Sequence, residues 1–554
     1  MNTSRHRQSR LLTGVIIVCC VVLLSSVGAQ VQSSRGPQIA AGPYRITGTI
    51  MNANNGSPLA RARVTIADAR NPQSTQSFIT ADDGRFEFHV PAGKFALRGA
   101  KRGFITGSYL HHDQFSTAIV TGSDIDSENL TLRLSPNAVI AGQVFDEFGE
   151  PVRNAQVMVY REDHYRGVSR VSAFGGTQTD DQGRYEVTPL DEGTYFVAVK
   201  ASPWYAVHPT TANDPVRGPA HVDSALDVAY PVTYYGDATE TADAAAIPVR
   251  GGDRLEADIH LKPVPALHLI FRQGGGNGGV TPPQLQKSEF DGMEIVGNTS
   301  IENVSPGVYE MTGVPAGQYH IRMADSAGQL KEPLEVDLAN NQELDTSSGR
   351  STSKVIARVQ FVNSAAVPAQ LEIGLRNNKG RLVVSAVDAK GEAQFEDLVP
   401  GTYDVVAGSD DDLYSVVGIA SESGATTGRA LSVPAGTSLD VLISIAGASV
   451  RIEGFAKRAG KGVSGAMIVL VPQDPEANHD HFRRDQSDLD GSFTLFNVTP
   501  GSYTIIAIEN GWELDWAKPA VLARYLKHGQ SVTVKDQAGA NFTRLGEPVE
   551  VQEP

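Results

Sequence analysis

The stretch that decides the fold reads Asp-Asp-Gln-Gly-Arg-Tyr-Glu-Val at residues 180–187, followed by Gly-Thr-Tyr-Phe-Val at residues 193–197. Asp and Gly suit a tight turn, because Asp caps its own backbone and Gly accepts a positive φ without steric cost. Apolar and polar residues alternate after the turn, as a half-buried strand requires. The stretch therefore predicts short β-strands joined by turns.

The same layout recurs five times along the chain. A turn glycine is followed nine or ten residues later by a second glycine, and an aromatic residue stands two positions after that. The copies are Gly84, Gly93 and Phe95; Gly183, Gly193 and Tyr195; Gly307, Gly317 and Tyr319; Gly391, Gly401 and Tyr403; and Gly491, Gly501 and Tyr503. A fixed layout in five copies predicts five repeated units.

A second element precedes the turn in three of the copies. In the first copy it starts with Gly-x-Pro-Leu at Gly56, and Ala62 and Val64 follow at fixed offsets. The other two copies start at Gly149 and Gly460 and keep the same offsets. Short strands with regular turn signals predict an all-β fold, a tandem array of Ig-like or transthyretin-like β-sandwiches.

These repeats set the predicted boundaries. We expect a signal peptide at 1–29, a linker at 30–43, sandwiches at 44–136, 137–264, 265–349, 350–446 and 447–546, and a disordered acidic tail at 547–554. The third sandwich is the most degenerate, because the flexible glycine-rich segment 274–279 stands where the others have a turn. One short helix is predicted in the last sandwich at residues 519–526, with Pro at its first position and Gly529 after its end.

The N-terminus predicts export. Arg5, Arg7 and Arg10 precede an apolar run at residues 11–27, and the small residues Gly28 and Ala29 follow. This order is typical of a secretory signal peptide cleaved after Ala29, with an uncleaved signal anchor as the alternative. After cleavage no membrane span is expected. The predicted location is secreted, periplasmic or on the cell surface, in a protein of bacterial type.

Composition excludes several classes of function. The chain carries 63 acidic and 47 basic side chains, a formal charge of -16, and has no basic stripe with interleaved aromatics, which disfavours nucleic-acid partners. Its two cysteines lie in the apolar run at residues 19 and 20, so the mature chain has no disulfide and no thiolate metal site.

The combined pattern resembles the carboxypeptidase regulatory-like domain in tandem bacterial proteins. The elements that carry the resemblance are Gly-x-Pro-Leu/Val with Ala-x-Val, the Asp-x-x-Gly turn with an aromatic, and Gly-x-Tyr. The resemblance implies transthyretin-like sandwiches that are grouped with carbohydrate-binding-like folds. It does not imply a peptidase, because no histidine begins the His-x-x-Glu pair that the zinc carboxypeptidases need.

No catalytic residue, metal ligand or cofactor is predicted. His479, Asp480 and His481 have ligand-type side chains, but their composition favours a solvated loop. Asp485, Asp488 and Asp490 resemble the start of a calcium loop, although the terminal Glu of an EF-hand is missing, so bound calcium stays open.

Aromatic clusters are the candidate ligand-binding residues, because sugar rings stack on aromatic faces. One cluster is Trp512 with Trp516; the other consists of Trp204, Tyr205, Tyr234 and Tyr235, with Tyr230 nearby. The alternative is that these rings pack onto their own sandwiches.

Three functions follow from the sequence. The main hypothesis is a non-catalytic exported protein that binds a polysaccharide or a cell-envelope glycan, as the fold resemblance implies. The first alternative is a structural or adhesive scaffold with a protein partner. The second is an accessory module of an extracellular hydrolase such as a carboxypeptidase. Burial of Trp512 and Trp516 against the predicted helix would favour the scaffold.

Overall fold

A computed structural model describes most of the chain after residue 37. The described residues are 38–164, 167–210, 223–272, 282–297, 299–305, 308–323, 331–345, 350–361, 367, 370–377, 382–408, 413–421, 426–427, 430–446, 450–475, 478, 481–535 and 542–554. The predicted signal peptide and the glycine-rich segment 274–279 lie outside them. Within the described part, no helix is long and apolar enough to cross a membrane.

Five separate hydrophobic cores form along the chain, and we number the stretches around them sandwich 1 to sandwich 5. Each core includes at least one fully buried ring: Phe88, Tyr195, Phe271, Phe395 and Phe493, in chain order. The all-β prediction is confirmed, and its basis is visible in strands such as Arg85–Val90, where buried and exposed residues alternate strictly.

Forty-five strands are assigned within the described residues, and we number them in chain order. In sandwich 1, β1 to β8 are Tyr44–Asn52, Arg63–Asp68, Asn71–Ile79, Arg85–Val90, Gly93–Ala100, Gly107–Ser108, Ile119–Thr121 and Leu130–Leu134. In sandwich 2, β9 to β19 are Ala138–Phe145, Gln156–Asp163, Arg170–Gln178, Arg184–Leu190, Gly193–Lys200, Val228–Ala229, Thr233–Tyr234, Ile247–Val249, Arg254–Glu256, Ile259–His260 and Val264–Pro265.

The remaining strands build the other three sandwiches. In sandwich 3, β20 to β27 are Leu267–Arg272, Gln284–Glu289, Gly292–Ile295, Ser300–Ser305, Val308–Val314, Gly317–Arg322, Leu334–Leu338 and Gln342–Asp345. In sandwich 4, β28 to β36 are Ser353–Phe361, Glu372–Asn377, Leu382–Ala386, Glu392–Leu398, Gly401–Gly408, Leu413–Ser421, Thr426–Thr427, Ala430–Val433 and Ser438–Ala446. In sandwich 5, β37 to β45 are Val450–Arg458, Lys461–Gly462, Met467–Pro472, Arg483–Gln486, Ser492–Val498, Gly501–Ile508, Gln530–Val534, Phe542–Arg544 and Val549–Gln552.

Each sandwich places two layers of strands over its core. In sandwich 1 the layers run in the order β4-β1-β8 and β3-β2-β5-β6, and β7 also pairs with β5. Sandwich 2 repeats this plan with β12-β9-β17 and β11-β10-β13-β15, and sandwich 3 with β23-β24-β20-β27 and β22-β21-β25-β26. In sandwiches 4 and 5 one strand joins the two layers into a single nine-stranded sheet.

The recurring aromatic residue closes a corner in each sandwich. Its ring is buried in all five copies. In four copies the tyrosine hydroxyl donates to the carbonyl oxygen four residues upstream; the donors are Tyr195, Tyr319, Tyr403 and Tyr503, at 3.1, 2.8, 2.6 and 2.8 Å. Phe95 has no hydroxyl, and there the Oγ1 of Thr121 donates to the equivalent carbonyl of Pro91 at 2.8 Å. The corner bond therefore persists even where the sequence has lost its usual donor.

A buried hydroxyl forms two backbone hydrogen bonds just after the repeated turn element, which is Gly-x-Pro in sandwiches 1 and 2 and Gly-x-Gly in sandwich 5. The Oγ1 of Thr80 donates to the carbonyl of Leu59 and accepts from the backbone N–H of Ala62. Thr179 makes the same pair of bonds in sandwich 2 and Ser487 makes it in sandwich 5. Sandwiches 1, 2 and 5 thus share a local structure as well as a motif.

The C-terminal tail is the clearest correction to the sequence predictions. Residues 547–554 were expected to be disordered, but β45 pairs in parallel with β37 and with β42 and so joins the two layers of sandwich 5. Val549 and Val551 are buried in its core, and burial of two apolar side chains outweighs the acidic composition. The predicted helix is confirmed: α1 spans Pro519–Leu526.

Candidate functional site

Trp512 and Trp516 lie between sandwiches, and neither ring face is open to a sugar. They are 6% and 4% exposed and pack with Leu522 and Tyr525 of α1. The ring of His112 from sandwich 1 stacks on Trp512 at a centroid distance of 5.0 Å. These two rings therefore serve packing in this structure, the alternative that the sequence left open.

An arginine lies at the centre of the same cluster. The guanidinium of Arg484 lies over Phe115 of sandwich 1, Trp512 and Trp516, at 5.2, 5.8 and 5.0 Å from the ring centroids. Its Nη1 is 3.5 Å from the carboxylate of Asp113. A cation held against three rings and a carboxylate stabilises the contact between sandwiches 1 and 5, which we call the 1–5 junction.

Polar contacts extend the 1–5 junction. The Nζ of Lys94 lies 2.5 Å from the Oδ2 of Asp488, whose Oδ1 accepts from the backbone N–H of Ala118. Burial raises the pKa of Asp488, and the ammonium of Lys94 opposes that effect. The backbone N–H of Leu489 donates to the carbonyl of Ala118 at 3.0 Å. The Asp488 turn, predicted as a simple hairpin, thus also binds a distant sandwich.

Sandwich 5 also contacts sandwich 2. The Oδ1 of Asp515 accepts from the backbone N–H of Ser169, and the N–H of Ala517 donates to the carbonyl of Gly167. Gly167 has a φ of +74°, and a Cβ there would lie 2.3 Å from the indole of Trp516. Only glycine fits at this position, because both its backbone conformation and the close ring exclude a side chain.

The second aromatic cluster divides between surface and core. Trp204 is 83% exposed and meets Tyr205 edge to face. The hydroxyls of Tyr205 and Tyr230 donate to the two carboxylate oxygens of Glu147. Burial alone raises the pKa of Glu147, but these two bonds outweigh it and lower the pKa. The hydrogen bond to Glu147 therefore fixes Tyr205, the ring against which Trp204 packs.

Tyr234 and Tyr235, the other two predicted binding residues of this cluster, pack in or against the interior of sandwich 2. Tyr234 is fully buried and packs with Tyr160 and Ala198, and Tyr235 is partly buried against the core of sandwich 2. The ring of Tyr234 is therefore not accessible to a ligand. Of the six predicted binding residues, Trp204 is the one with an exposed ring, whereas Tyr205 and Tyr235 are partly buried.

Charged groups are buried where sandwiches 2 and 3 meet. Glu289 of sandwich 3 accepts a hydrogen bond from the hydroxyl of Tyr160 and lies 2.9 Å from the Nζ of Lys200, both in sandwich 2. Burial, followed by the bond to Glu289, raises the pKa of Tyr160 far above its ordinary value. A cavity of about 150 Å³ adjoins these groups and is also lined by Lys287 and Tyr319. Lys200 pairs with Glu289 and Lys287 pairs with Glu240, so positive and negative charges balance around the cavity.

A histidine bridges two carboxylates at the same place, which we call the 2–3 junction. The Nε2 of His268 is 2.8 Å from Asp227, and its Nδ1 is 2.8 Å from Glu310. Burial alone lowers the pKa of His268, but the two hydrogen bonds and the two negative charges outweigh it, so the pKa is raised. Asp227 also pairs with His208 at 2.8 Å. His268 therefore links Glu310 of its own sandwich to Asp227 of sandwich 2.

The candidate metal ligands do not converge in the described part of the chain. His479 and Asp480 lie outside the described residues. Asp485 accepts from the backbone N–H of Thr494, and burial raises its pKa to about 7. No group of three or more His, Cys, Asp or Glu side chains is placed to hold a metal ion among the residues that the structure describes.

The family comparison agrees with the repeated motifs. Residues 45–134 and 139–262 match the carboxypeptidase regulatory-like domain. Sandwiches 1 and 2 therefore match this domain as two tandem copies. For sandwiches 3 to 5 the resemblance stays a prediction. Among curated proteins, none matches the sequence.

Solved structures with similar strand arrangements are remote. A streptococcal ancillary pilin is 11% identical over 50% of this chain and 98% of its own, with a TM-score of 0.20. The minor pilin GBS52 of Streptococcus agalactiae is 13% identical over 40% and 97%, with a TM-score of 0.20. Two B repeat units of the collagen-binding protein of Staphylococcus aureus are 11% identical over 68% and 93%, at 0.14. Scores this low assign no function to the chain.

Sequence reasoning missed the junctions. Residues such as Lys94 and Asp488 are almost four hundred positions apart and carry no shared motif. One signal was available: His268 lies in the apolar run Leu267–Phe271, where a buried histidine needs polar partners. Its partners could not have been named, because they come from another strand and another sandwich.

Proposed function

We propose that this chain is an exported, non-catalytic scaffold of five sandwiches that are locked into one arrangement and present loops and sheet faces to a protein partner. The supporting observation is the 1–5 junction, where the first and last sandwiches bury Arg484, Trp512 and Trp516 against each other. A fixed arrangement lowers the entropy lost on binding. Export rests on the N-terminal sequence, and the domain boundaries 44–136, 137–264, 265–349, 350–446 and 447–546 are part of the proposal.

The absence of catalysis is part of the same proposal. Groups that could do chemistry, such as Asp488, His268 and Glu289, are bonded across junctions, and the cavity that Glu289 lines measures only about 150 Å³. Burial of a charge stabilises a contact only when the charge is paired. These residues therefore support positioning of the sandwiches.

Small-angle X-ray scattering tests the locked arrangement. The mature chain, from Gln30 onward, should scatter as a single compact particle whose radius of gyration does not change with salt. The matched variant Gly167→Ala places a Cβ against Trp516 and should loosen the contact between sandwiches 2 and 5, which increases the radius of gyration. Extended, multi-conformer scattering from the wild type would refute the proposal.

A glycan-binding function is the second candidate, and the exposed Trp204 with its neighbour Tyr205 favours it. An indole that is 83% exposed and braced by its neighbours can stack on a sugar ring. A panel of polysaccharides should then bind the wild type and not the variant Trp204→Ala/Tyr205→Ala. Retention of binding in the variant, or no binding at all, removes this candidate.

A further inference from the structure

One face of sandwich 5 combines exposed phenylalanines with basic side chains. It lies on β37 and on its neighbours β41 and β44, which pair with β37 on opposite sides. Ile452, Gly454 and Ala456 of β37 point into the core, so the alternate residues point outward. We call this outward surface the basic aromatic face; it consists of Arg451, Glu453, Phe455, Lys457, Phe496, Phe542 and Arg544.

Three phenylalanine rings are open to solvent on this face. Phe455, Phe496 and Phe542 are 44%, 60% and 53% exposed. Phe542 lies opposite Arg451 in the register of β44 and β37. Several large apolar side chains on one sheet face favour a contact surface, because their exposure to water opposes solubility.

The basic side chains are held against the rings. The guanidinium of Arg451 lies 5.8 Å from the centroid of Phe542, and the ammonium of Lys457 lies 5.5 Å from that of Phe455. Glu453 pairs with both Arg451 and Arg544, each at 3.0 Å. The exposed Glu550 of β45 lies opposite Lys457 in register. Three cations against these two carboxylates leave the face with a small net positive charge, although the whole chain has a charge of -16. A positive face on an acidic protein selects a negatively charged occupant.

The equivalent faces of sandwiches 1 and 4 carry ion pairs, and the phenylalanines of sandwich 1 at this place are buried. In sandwich 1 the outward residues form ion pairs, as Arg45 does with Glu87 and Glu128. In sandwich 4 Arg358 pairs with Glu392 and Asp440. The phenylalanines of the corresponding strand in sandwich 1, Phe86 and Phe88, point into the core. Ion pairs occur on all three faces, so the exposed phenylalanine rings distinguish the face of sandwich 5 from that of sandwich 1.

We infer that the basic aromatic face binds an acidic protein segment that carries apolar side chains. Phenylalanine rings bury apolar side chains and offer no hydrogen bonds, whereas Arg and Lys pair with carboxylates. Every second residue of an extended segment points the same way, so a segment with an acidic residue two positions from an apolar one can present both to neighbouring groups such as Lys457 and Phe455. The inference deepens the proposed scaffold function by assigning the partner surface, and it rests on that function.

The test is selection from a phage-displayed library of short random peptides on the mature chain. Enriched peptides should combine Asp or Glu with apolar residues, and their affinity should fall as salt rises. The variant Phe455→Ser/Phe542→Ser, and separately Arg451→Glu/Lys457→Glu, should weaken a selected peptide at least about tenfold. These side chains are on the surface, so both variants should keep the wild-type melting temperature.

The control is Arg45→Glu, which alters the equivalent face of sandwich 1 and should leave peptide affinity unchanged. No enrichment, enrichment of basic peptides, or binding that the variants do not weaken would overturn the inference. So would binding of polygalacturonate, an acidic polysaccharide, that the variants abolish while no peptide binds. Small-angle X-ray scattering of the variants separates this inference from the proposed fixed arrangement of the sandwiches. A variant can lose peptide binding while its radius of gyration stays that of the wild type.

Discussion

The 1–5 junction and the contact between sandwiches 3 and 4 join the array in opposite ways. At the 1–5 junction residues far apart in sequence bury aromatic rings, Arg484 and the carboxylate of Asp488. Between sandwiches 3 and 4 the described contacts come from neighbouring segments, such as the exposed ion pair of Arg350 with Glu332 at 2.7 Å. Chain connectivity already keeps sandwiches 3 and 4 close, whereas sandwiches 1 and 5 depend on non-covalent contacts between distant residues to stay together.

The largest effect should come from removing the central indole of the 1–5 junction. Trp512→Ala deletes a buried ring that contacts His112 and Phe115, and it should lower the free energy of unfolding by about 3–5 kcal/mol. The matched control is Trp204→Ala, whose ring is exposed and which should change stability by less than about 0.5 kcal/mol. Urea unfolding followed by circular dichroism measures both. Equal effects would show that Trp512 is not a packing residue.

A smaller difference should separate ion pairs at the two places. Lys94→Met leaves the carboxylate of Asp488 largely buried without its cation and should cost about 2 kcal/mol, less than a fully buried pair because Lys94 is partly exposed. Arg350→Met, between sandwiches 3 and 4, should cost less than about 1 kcal/mol. Tryptophan fluorescence during urea unfolding reports the first change well, because Trp512 and Trp516 lie at or beside the 1–5 junction. A larger cost for Arg350→Met would reverse the comparison.

The smallest effect should be a pH dependence at the 2–3 junction. The folded-state pKa of His268 is raised, so its stabilisation is complete below the ordinary value near 6.5 and is lost as pH rises through the folded-state pKa. Proteolysis between sandwiches 2 and 3 should therefore accelerate in that range. His268→Gln should remove this pH dependence and His260→Gln, at an exposed histidine, should retain it. An unchanged pH profile in His268→Gln would contradict the assignment.

Features that recur along the chain could be predicted from the sequence, whereas the tail strand and the contacts between sandwiches, which each occur once, were missed. Five aromatic corners and α1 follow local rules of turn, strand and helix formation, and those rules are readable from Gly and Tyr spacing. The tail strand β45 was missed because the acidic composition of the tail suggested disorder. The alternation of Val549 and Val551 with polar residues, which is typical of a half-buried strand, was overlooked. The junctions were missed because long-range side-chain contacts leave no periodic signal.

The candidate ligand residues show the same limit. Trp512 and Trp204 each have another aromatic residue within four positions in the sequence. Trp512 packs onto side chains of its own sandwich and is then covered by His112 of sandwich 1, whereas Trp204 remains exposed. Burial of a ring in a multidomain protein thus depends on domain packing, which a local pattern does not encode.

Contact between sandwiches 1 and 5, which closes the array of sandwiches, is the central claim. The most direct test of this closed array is a disulfide across the 1–5 junction. The N–H of Leu489 bonds to the carbonyl of Ala118 at 3.0 Å, so the backbones of these two residues are in direct contact and a disulfide can be tested between their positions. The mature chain has no other cysteine, so Ala118→Cys/Leu489→Cys can form a single intramolecular bond. We predict rapid, complete oxidation to a monomer that migrates faster on a non-reducing gel. Two thiols that stay free under oxidising conditions would contradict a closed array.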